Sequence, residues 1–337
     1  MKGAASVVVV AYGSSPGLLA CVASVWADEP EWEVIVVDNG ADPREIEAVE
    51  GAGRAAIVRP LRNLGFGGGC NIGAAVARHQ RIVFLNPDTI VPPGSLARLV
   101  EPLDDAGIGI VTGCLRLNDR PDVLHAAGTA VHVSGLGWSS GYGAPPPAPS
   151  GLVEVAAPCG AAMAVRSDTL RELGGFHDEL FLYLEDVELG WRARMAGTRV
   201  VCSIGASFYH DYDFERHTTK RYFLERNRLA FVAICYSART LLLLAPLFVA
   251  TEIAMLALAA RQGWLRDKLA GWAWCVRNRH TLLRRRRETQ LRRTVRDREL
   301  AGMLTAVVDP AMLEVPRAMR IVNPLMSAYW TLVRCAL

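Results

Sequence analysis

The sequence predicts an α/β fold, a mostly parallel central sheet covered by helices, followed by a helical C-terminal region that is both apolar and basic. Strand-sized runs rich in Val and Ile alternate with stretches of helical spacing through the first half. Polar and acidic residues follow directly on those runs, and beyond about Arg216 the pattern changes to long helical stretches. The 337 residues, 51% hydrophobic and 21% charged, can bury a sizeable core, which excludes a disordered, collagenous or disulfide-scaffold chain. At roughly 150 residues per domain the length suggests about two units, or one large α/β domain with an appendage.

The first run, Ser6 to Ala11, follows a lysine, but its apolar stretch of about five residues is too short for a signal h-region and predicts a strand. Val34 to Val37, Ala55 to Val58, Ile82 to Leu85 and Ile108 to Thr112 are the next strands. Helical spacing occupies the gaps at Leu18 to Trp26, Ile46 to Val49, Asn71 to Arg78 and Ser95 to Leu103. Thr112 to Pro149 loosens into Gly, Ser and Pro and ends in APPPAPSG, which predicts a surface excursion. Regularity returns with a strand at Gly160 to Arg166, helices at Ser167 to Leu173 and Glu185 to Ala196, and a strand at Arg199 to Ser203 leading to Phe208-Tyr209-His210.

The remainder predicts helices at Thr218 to Ser237 and Thr240 to Ala260, then an arginine-rich part. Residues 261–300 hold 13 Lys+Arg against 4 Asp+Glu, so the overall +3 conceals a basic tail on an otherwise acidic chain. The stretch at 240–260 is long enough to span a bilayer, yet Pro246 interrupts it and Glu252 near its centre costs about 2.5 to 3.5 kcal/mol there. A segment lying at a membrane surface is the expectation, with Trp264, Trp272 and Trp274 at headgroup depth and Arg284 to Arg287 on anionic lipid; a spanning helix and a soluble core or oligomer contact are the alternatives. No nucleic-acid partner is expected, because the arginine run lacks an interleaved recognition motif. Eight scattered cysteines without a C-x-x-C pair indicate neither a zinc cluster nor a disulfide framework, and a reducing cytoplasm is the default.

In open sheets of this kind ligands bind beyond the carboxyl ends of the strands, so the residues after each run carry the functional expectation. Asp38 follows the second run, where a carboxylate can accept the ring N–H of a pyrimidine or simply close an Asp-Asn-Gly turn. The glycines from Asn63 to Gly73 allow close backbone approach to a ligand before a helix begins, or close helix packing. They match neither a P-loop nor the G-x-G-x-x-G fingerprint, which demotes an NAD-binding reading. Asp88 in Asn86-Pro87-Asp88 is placed to hold a hard divalent cation against a diphosphate, or is an ordinary turn residue. Glu185 and Asp186, preceded by Phe181-Leu182-Tyr183-Leu184, would sit partly desolvated, which raises a carboxylate pKa toward that of a useful base. Glu188 and Arg192 form an i,i+4 pair worth a few tenths of a kcal/mol. His210, beside Asp211 and Asp213, can complete a metal site or cap a strand end.

Taken in order, VVVVAYGS, VVDNG, NLGFGGGCNIG, FLNPD, CGAAMAVR, GGFHDELFLYLEDVELGWR and ERNRL resemble the family-2 glycosyltransferases of the GT-A fold, nucleotide-diphospho-sugar transferases, and among them the rhamnosyltransferase-like branch. The resemblance runs from about Ser6 to Leu229. It implies a GT-A domain at 1–225, with a nucleotide-binding half at 1–112 and an acceptor half at 113–225, and a membrane-associated region at 226–337. It also implies an inverting transfer, best matched by L-rhamnose from dTDP-rhamnose, onto a glycan or polyprenyl-linked acceptor in cell-wall or polysaccharide assembly at the inner face of the cell membrane. By matching position, Asp186 is the general base supported by Glu185. Tyr12, Asp38, Asn63, Gly65 and Asn86 contact the donor, and Asp88 and His210 hold Mg2+ or Mn2+. A galactofuranosyl or other UDP-sugar transferase, and a non-catalytic glycan-assembly partner with the same fold, stay open.

Overall fold

The structure is a computed structural model that describes residues 3–148, 150–211, 219–309, 311 and 319–337. Two compact units make up the chain: Met1–Thr129 with Ser139–Ala193 and Thr198–Asp213, and Ala130–Trp138 with Arg194–Gly197 and Phe214–Leu337.

The strands are β1 (Ala5–Gly13), β2 (Glu33–Ala41), β3 (Ala56–Val58), β4 (Arg81–Leu85), β5 (Thr89–Ile90), β6 (Ile108–Leu117), β7 (Leu124–Ala126), β8 (Thr129–His132), β9 (Gly137–Ser139), β10 (Leu152–Glu154), β11 (Ala162–Arg166), β12 (Arg199–His210) and β13 (Leu304–Thr305). The helices of the first unit are α1 (Leu18–Asp28), α2 (Pro43–Gly51), α3 (Gly65–Val76), α4 (Ser95–Val100) and α5 (Ser167–Leu173), with most of α6 (Glu185–Met195). Its sheet runs β10-β12-β6-β11-β4-β1-β2-β3, with β5 on β12 and β7 on β6. β3, β2, β1 and β4 are parallel neighbours, whereas β11 is antiparallel to both β4 and β6. The strand order turns back at β1, so the crevice beyond the carboxyl ends of β1 and β4 is where such a sheet receives a ligand. The continuous Val runs of β1 and β2 are buried because helices cover both faces. Helix α1 turns Leu18, Cys21, Val22, Val25 and Trp26 inward, the i, i+3, i+4 spacing of one apolar face.

Three sequence expectations change. Helix α3 begins at Gly65, not Asn71, and takes the glycines inside it. A Cβ on Gly73 would lie 2.3 Å from Val8 Cγ1, so that glycine serves close packing of the helix on β1. The expected excursion after Thr112 is in part regular and buried: β6 continues to Leu117, and all of β7 is covered. Finally, Arg199 to His210 is one strand, carried past a register shift between Ser203 and Ser207 that delivers His210 beside Thr89 of β5.

In the second unit β8, β9 and β13 form a small sheet, and the helices are α7 (Lys220–Cys235), α8 (Ala238–Gln262), α9 (Leu265–Arg277), α10 (Arg279–Leu291), α11 (Asp297–Leu300) and α12 (Met319–Ala336). The expected helix start at Thr218 lies outside the described residues. Glu252 is no isolated acid in an apolar stretch. Its carboxylate bonds Arg228, Lys268 and the Trp272 indole N–H, and Glu225 pairs with the same two cations, so two acids and two bases neutralise one another.

The tryptophans and part of the arginine run likewise make contacts inside this unit. Trp264 is buried and donates to Gln262, Trp272 serves Glu252, and Trp274 lies under the Arg226 guanidinium. Arg286 donates to the carbonyls of Ala233 and Tyr236, and Gln290 to those of Ile234 and Cys235, closing the C-terminus of α7 with a favourable charge.

Candidate active site

Each strand end delivers one polar group to the crevice. Ala11 of β1 pairs with Asp38 of β2, which sets Tyr12 and Asp38 at the same level. Tyr12 is 56% exposed, and a Cβ on Gly40 would touch its ring at 3.6 Å, so the ring stands over the β2 turn as an open stacking face. Asp38 closes that turn, one oxygen accepting from the N–H groups of Gly40 and Ala41, while the other lies 3.6 Å from Arg59. The turn and the binding reading are compatible, because a carboxylate has acceptor sites to spare.

Asn63 and Gly65 have structural duties that the sequence reading missed. The buried Asn39 amide donates to Asn63 Oδ1 and to the Gly65 carbonyl, and its oxygen accepts from Leu64 N–H. Asn63 Oδ1 in turn accepts from Gly65 N–H. Gly65 has φ +74°, and a Cβ there would sit 2.1 Å from the Phe181 carbonyl oxygen, which accepts from Phe66 N–H at 2.7 Å. The backbone that Gly65 admits so closely is the protein's own.

That contact anchors the segment before the two adjacent acids. Phe181, at φ 63° and ψ −60°, makes a γ-turn of the strained hand, closed by Leu182 N–H on the Leu180 carbonyl at 2.7 Å. Tyr183 and Leu184 also have positive φ, and Asn71 pins the preceding loop through Phe176 and Asp178. Three non-glycine residues held this way persist only where surrounding contacts over-determine them.

Glu185 and Asp186 open α6 in different environments. Asp186 is partly exposed; its Oδ2 accepts from Gly160 N–H at 2.7 Å and its Oδ1 from Val187 N–H at 2.8 Å. Glu185 is buried, and its Oε2 has no hydrogen-bond partner among the described residues. Burial, and then the charge of Asp186, push the Glu185 carboxyl up to about 8. Burial raises Asp186 too, but the N–H groups of Gly160 and Val187 pull it back. The pair therefore keeps its proton on Glu185 and its charge on Asp186.

Behind them Glu188 bonds Arg192 at 2.8 Å and His177 at 3.0 Å, all buried. Arg192 also donates to the carbonyls of Leu173 and Gly175. The Glu188 and Arg192 pair is thus a buried anchor of α6 under the acids, worth more than the few tenths of a kcal/mol expected of an i,i+4 pair.

The third group lies at the ends of β4 and β12. His210 Nε2 is 3.1 Å from Asp88 Oδ1 and 3.2 Å from the Asn86 amide nitrogen. Asn86 N–H bonds the Ala161 carbonyl at 3.0 Å, and Ala161 follows Gly160, so adjacent residues before β11 hold the Asn86 turn and Asp186. Asp211 N–H bonds the Asp88 carbonyl, whereas Asp213 lies outside the described residues. Among the described residues no three His, Cys, Asp or Glu side chains converge on one point. A carboxylate oxygen and an imidazole nitrogen 3.1 Å apart fit adjacent positions on a divalent cation that completes its shell with phosphate oxygens and water. His125 of β7, which the sequence did not single out, stacks on His210 with ring centroids 5.0 Å apart.

Residues 6–170 match the model of glycosyl transferase family 2. Over 149 residues, 42% of this chain, the sequence is 32% identical to the O-antigen biosynthesis protein RfbC of Myxococcus xanthus, and the match spans 12% of that protein's length. The structure is similar to that of GalNAc-T7 with UDP, GalNAc and Mn2+, with a TM-score of 0.58 at 18% identity over 68% of this chain and 48% of that one. It is similar also to the mannosyltransferase PcManGT from Pyrobaculum calidifontis in complex with GDP-Man and Mn2+, with a TM-score of 0.53 at 17% identity over 98% and 86%. Both likenesses show the GT-A fold.

Proposed function

We propose that this chain, a glycosyl transferase of family 2 by the match of its residues 6–170, moves a sugar from a nucleoside-diphosphate donor to an acceptor hydroxyl with inversion, in polysaccharide or O-antigen assembly. L-rhamnose from dTDP-rhamnose is the donor best suited to its motifs, and a glycan or polyprenyl-linked alcohol the acceptor. The observation that carries the reading is the split pair, a protonated Glu185 beside an anionic Asp186, on the same sheet edge as Asp38 and Asp88. Tyr12 and Asp38 bind the base, while Asn63 and Gly65 shape the wall beside it.

Asp88 and His210, with Asn86 beside them, would hold Mg2+ or Mn2+ against the diphosphate. When bound, the cation neutralises charge growing on the leaving phosphate. Asp186 orients the acceptor hydroxyl and takes its proton as the oxygen attacks the anomeric carbon opposite the diphosphate, so one displacement inverts the configuration. The buried apolar segment around Glu185 keeps that carboxyl neutral, so that it does not compete for the proton.

A thermal-shift panel of nucleotide sugars with and without Mn2+ tests this, since a ligand of the native state raises its apparent stability. The expected result is a metal-dependent rise with dTDP- or UDP-sugars that Asp88→Ala reduces to the metal-free level. A rise of equal size in Asp88→Ala would remove Asp88 from the cation.

The second unit carries the membrane part of the reading. The exposed side of α8 is apolar from Leu242 through Val249 to Ile253, and Leu325 and Leu332 are exposed on α12, which α8 meets through Tyr329 and Leu243. Helix α8 is long and apolar enough to cross a bilayer, but a spanning position would draw Glu252 from Arg228 and Lys268 and strand both cations. A helix lying in the interface at the cytoplasmic face keeps the tetrad intact. Ile253→Glu should weaken flotation with anionic vesicles by about tenfold or more, from the roughly 1.5 to 3 kcal/mol of one buried large side chain. Undiminished flotation of that variant would take α8 out of the interface.

A further inference from the structure

His125 sits at the centre of β7, 2% exposed, and its Nδ1 lies 3.2 Å from Nδ1 of His210, itself 6% exposed. The two rings stack at an interplanar angle of 26°, and Tyr142 meets His125 edge-on. A hydrogen bond between two imidazole nitrogens requires a proton on one and a lone pair on the other, so the tautomers of the two rings are tied together. The opposite nitrogen of His210, Nε2, is the one that faces Asp88.

For Nε2 to offer its lone pair to a cation, His210 must carry its proton on Nδ1 and donate it to His125 Nδ1. His125 then carries its own proton on Nε2. If His125 donates instead, the His210 proton is on Nε2 and points at Asp88, where it excludes a cation. Moving from the second arrangement to the first conserves protons: Nε2 of His210 releases one, the shared proton crosses from His125 to His210, and Nε2 of His125 takes one up. Among the described residues no third His, Cys, Asp or Glu joins this pair, so the orientation of each donor matters more than in a closed cage.

We propose that His125 is a positioning residue for the divalent cation: as hydrogen-bond acceptor for Nδ1 of His210, it fixes the ring and the tautomer that present Nε2 beside Asp88. This rests on the cation reading of Asp88 and His210.

The test uses the full chain with UDP and counts free Mn2+ by electron paramagnetic resonance. His125→Phe keeps a stacking ring and removes the acceptor, and it is expected to weaken Mn2+ binding by about 10- to 100-fold. His125→Asn restores an oxygen near the position of Nδ1 and should stay within about threefold of the parent. Parent-like Mn2+ affinity in His125→Phe, or equal losses in both variants, overturns the proposal. Should His125→Phe fail to fold, ring 15N shifts of the unaltered protein with Mg2+ and UDP decide. A proton on Nδ1 of His210 and on Nε2 of His125 supports the proposal, and a proton on Nε2 of His210 refutes it. Asp88→Ala and His210→Ala separate the two levels: if neither weakens Mn2+ binding, the cation reading falls and this inference with it; if both do while His125→Phe does not, the inference alone falls.

Discussion

Asp186→Asn is expected to lower turnover by about 10²- to 10⁴-fold, the usual share of a general base, while donor binding stays within about twofold of the parent. The amide keeps an oxygen for the Gly160 or Val187 N–H that now hold the carboxylate, so α6 and the loop before it stay in place. What disappears is the charge. Glu185 cannot replace it, because its carboxyl stays buried, and burial, the larger of the two causes that raise it, persists when the Asp186 charge is gone. Single-turnover kinetics with saturating donor separates the step from binding, and near-parent turnover would remove Asp186 from the base role.

Glu185 also gives the folded state a pH dependence of definite sign. Its carboxyl is raised from 4.5 in the free group to about 8 in the fold, so the folded state binds a proton that the unfolded chain releases. Stability from this group is full below about pH 4.5 and is lost as the pH rises through about 8. Glu185→Gln mimics the neutral form, so its unfolding midpoint should fall less than that of the parent between pH 6 and 9.

Glu188→Ala is expected to destabilise the first unit by about 3 to 5 kcal/mol, the cost of breaking a buried ion pair and leaving its cation uncompensated. Arg192 would remain buried with only the Leu173 and Gly175 carbonyls, and His177 would lose its neighbour. Burial alone would raise the Glu188 carboxyl, but Arg192 and then His177 more than offset it and hold it at about 2. Its contribution is therefore full above about pH 4.5 and lost as the pH falls through about 2. Denaturant unfolding of the two proteins at pH 7 checks the difference, and a loss under 1 kcal/mol would return the pair to the status of a surface contact.

The strands of the parallel half were legible because buried parallel strands read as unbroken Val and Ile runs, and the acids after them were legible because such sheets use that edge. Other features escaped for identifiable reasons. His125 stands in a three-residue strand between turns, with no periodicity to mark it. Asn39 looked like part of an Asp-Asn-Gly turn, yet its amide ties Asn63 and Gly65 together across 26 residues of chain. The glycines of α3 left a ligand loop and close helix packing both open, because a glycine cluster signals close approach without saying to what; here it is Val8, Val10 and the Phe181 carbonyl. Glu252 read as a costly acid in an apolar stretch because Arg228 and Lys268 are distant in sequence.

If Asp38, Asp88 and Asp186 serve one nucleotide sugar, a crystal structure of the full chain with dTDP or UDP and Mn2+ will show the pyrimidine against Tyr12 and Asp38, the cation between the diphosphate and the Asp88 and His210 side chains, and the Asp186 carboxylate open toward the position of the departing sugar. A nucleotide seated elsewhere, or seated here with Asp186 walled off from the space beyond its β-phosphate, would contradict that shared role.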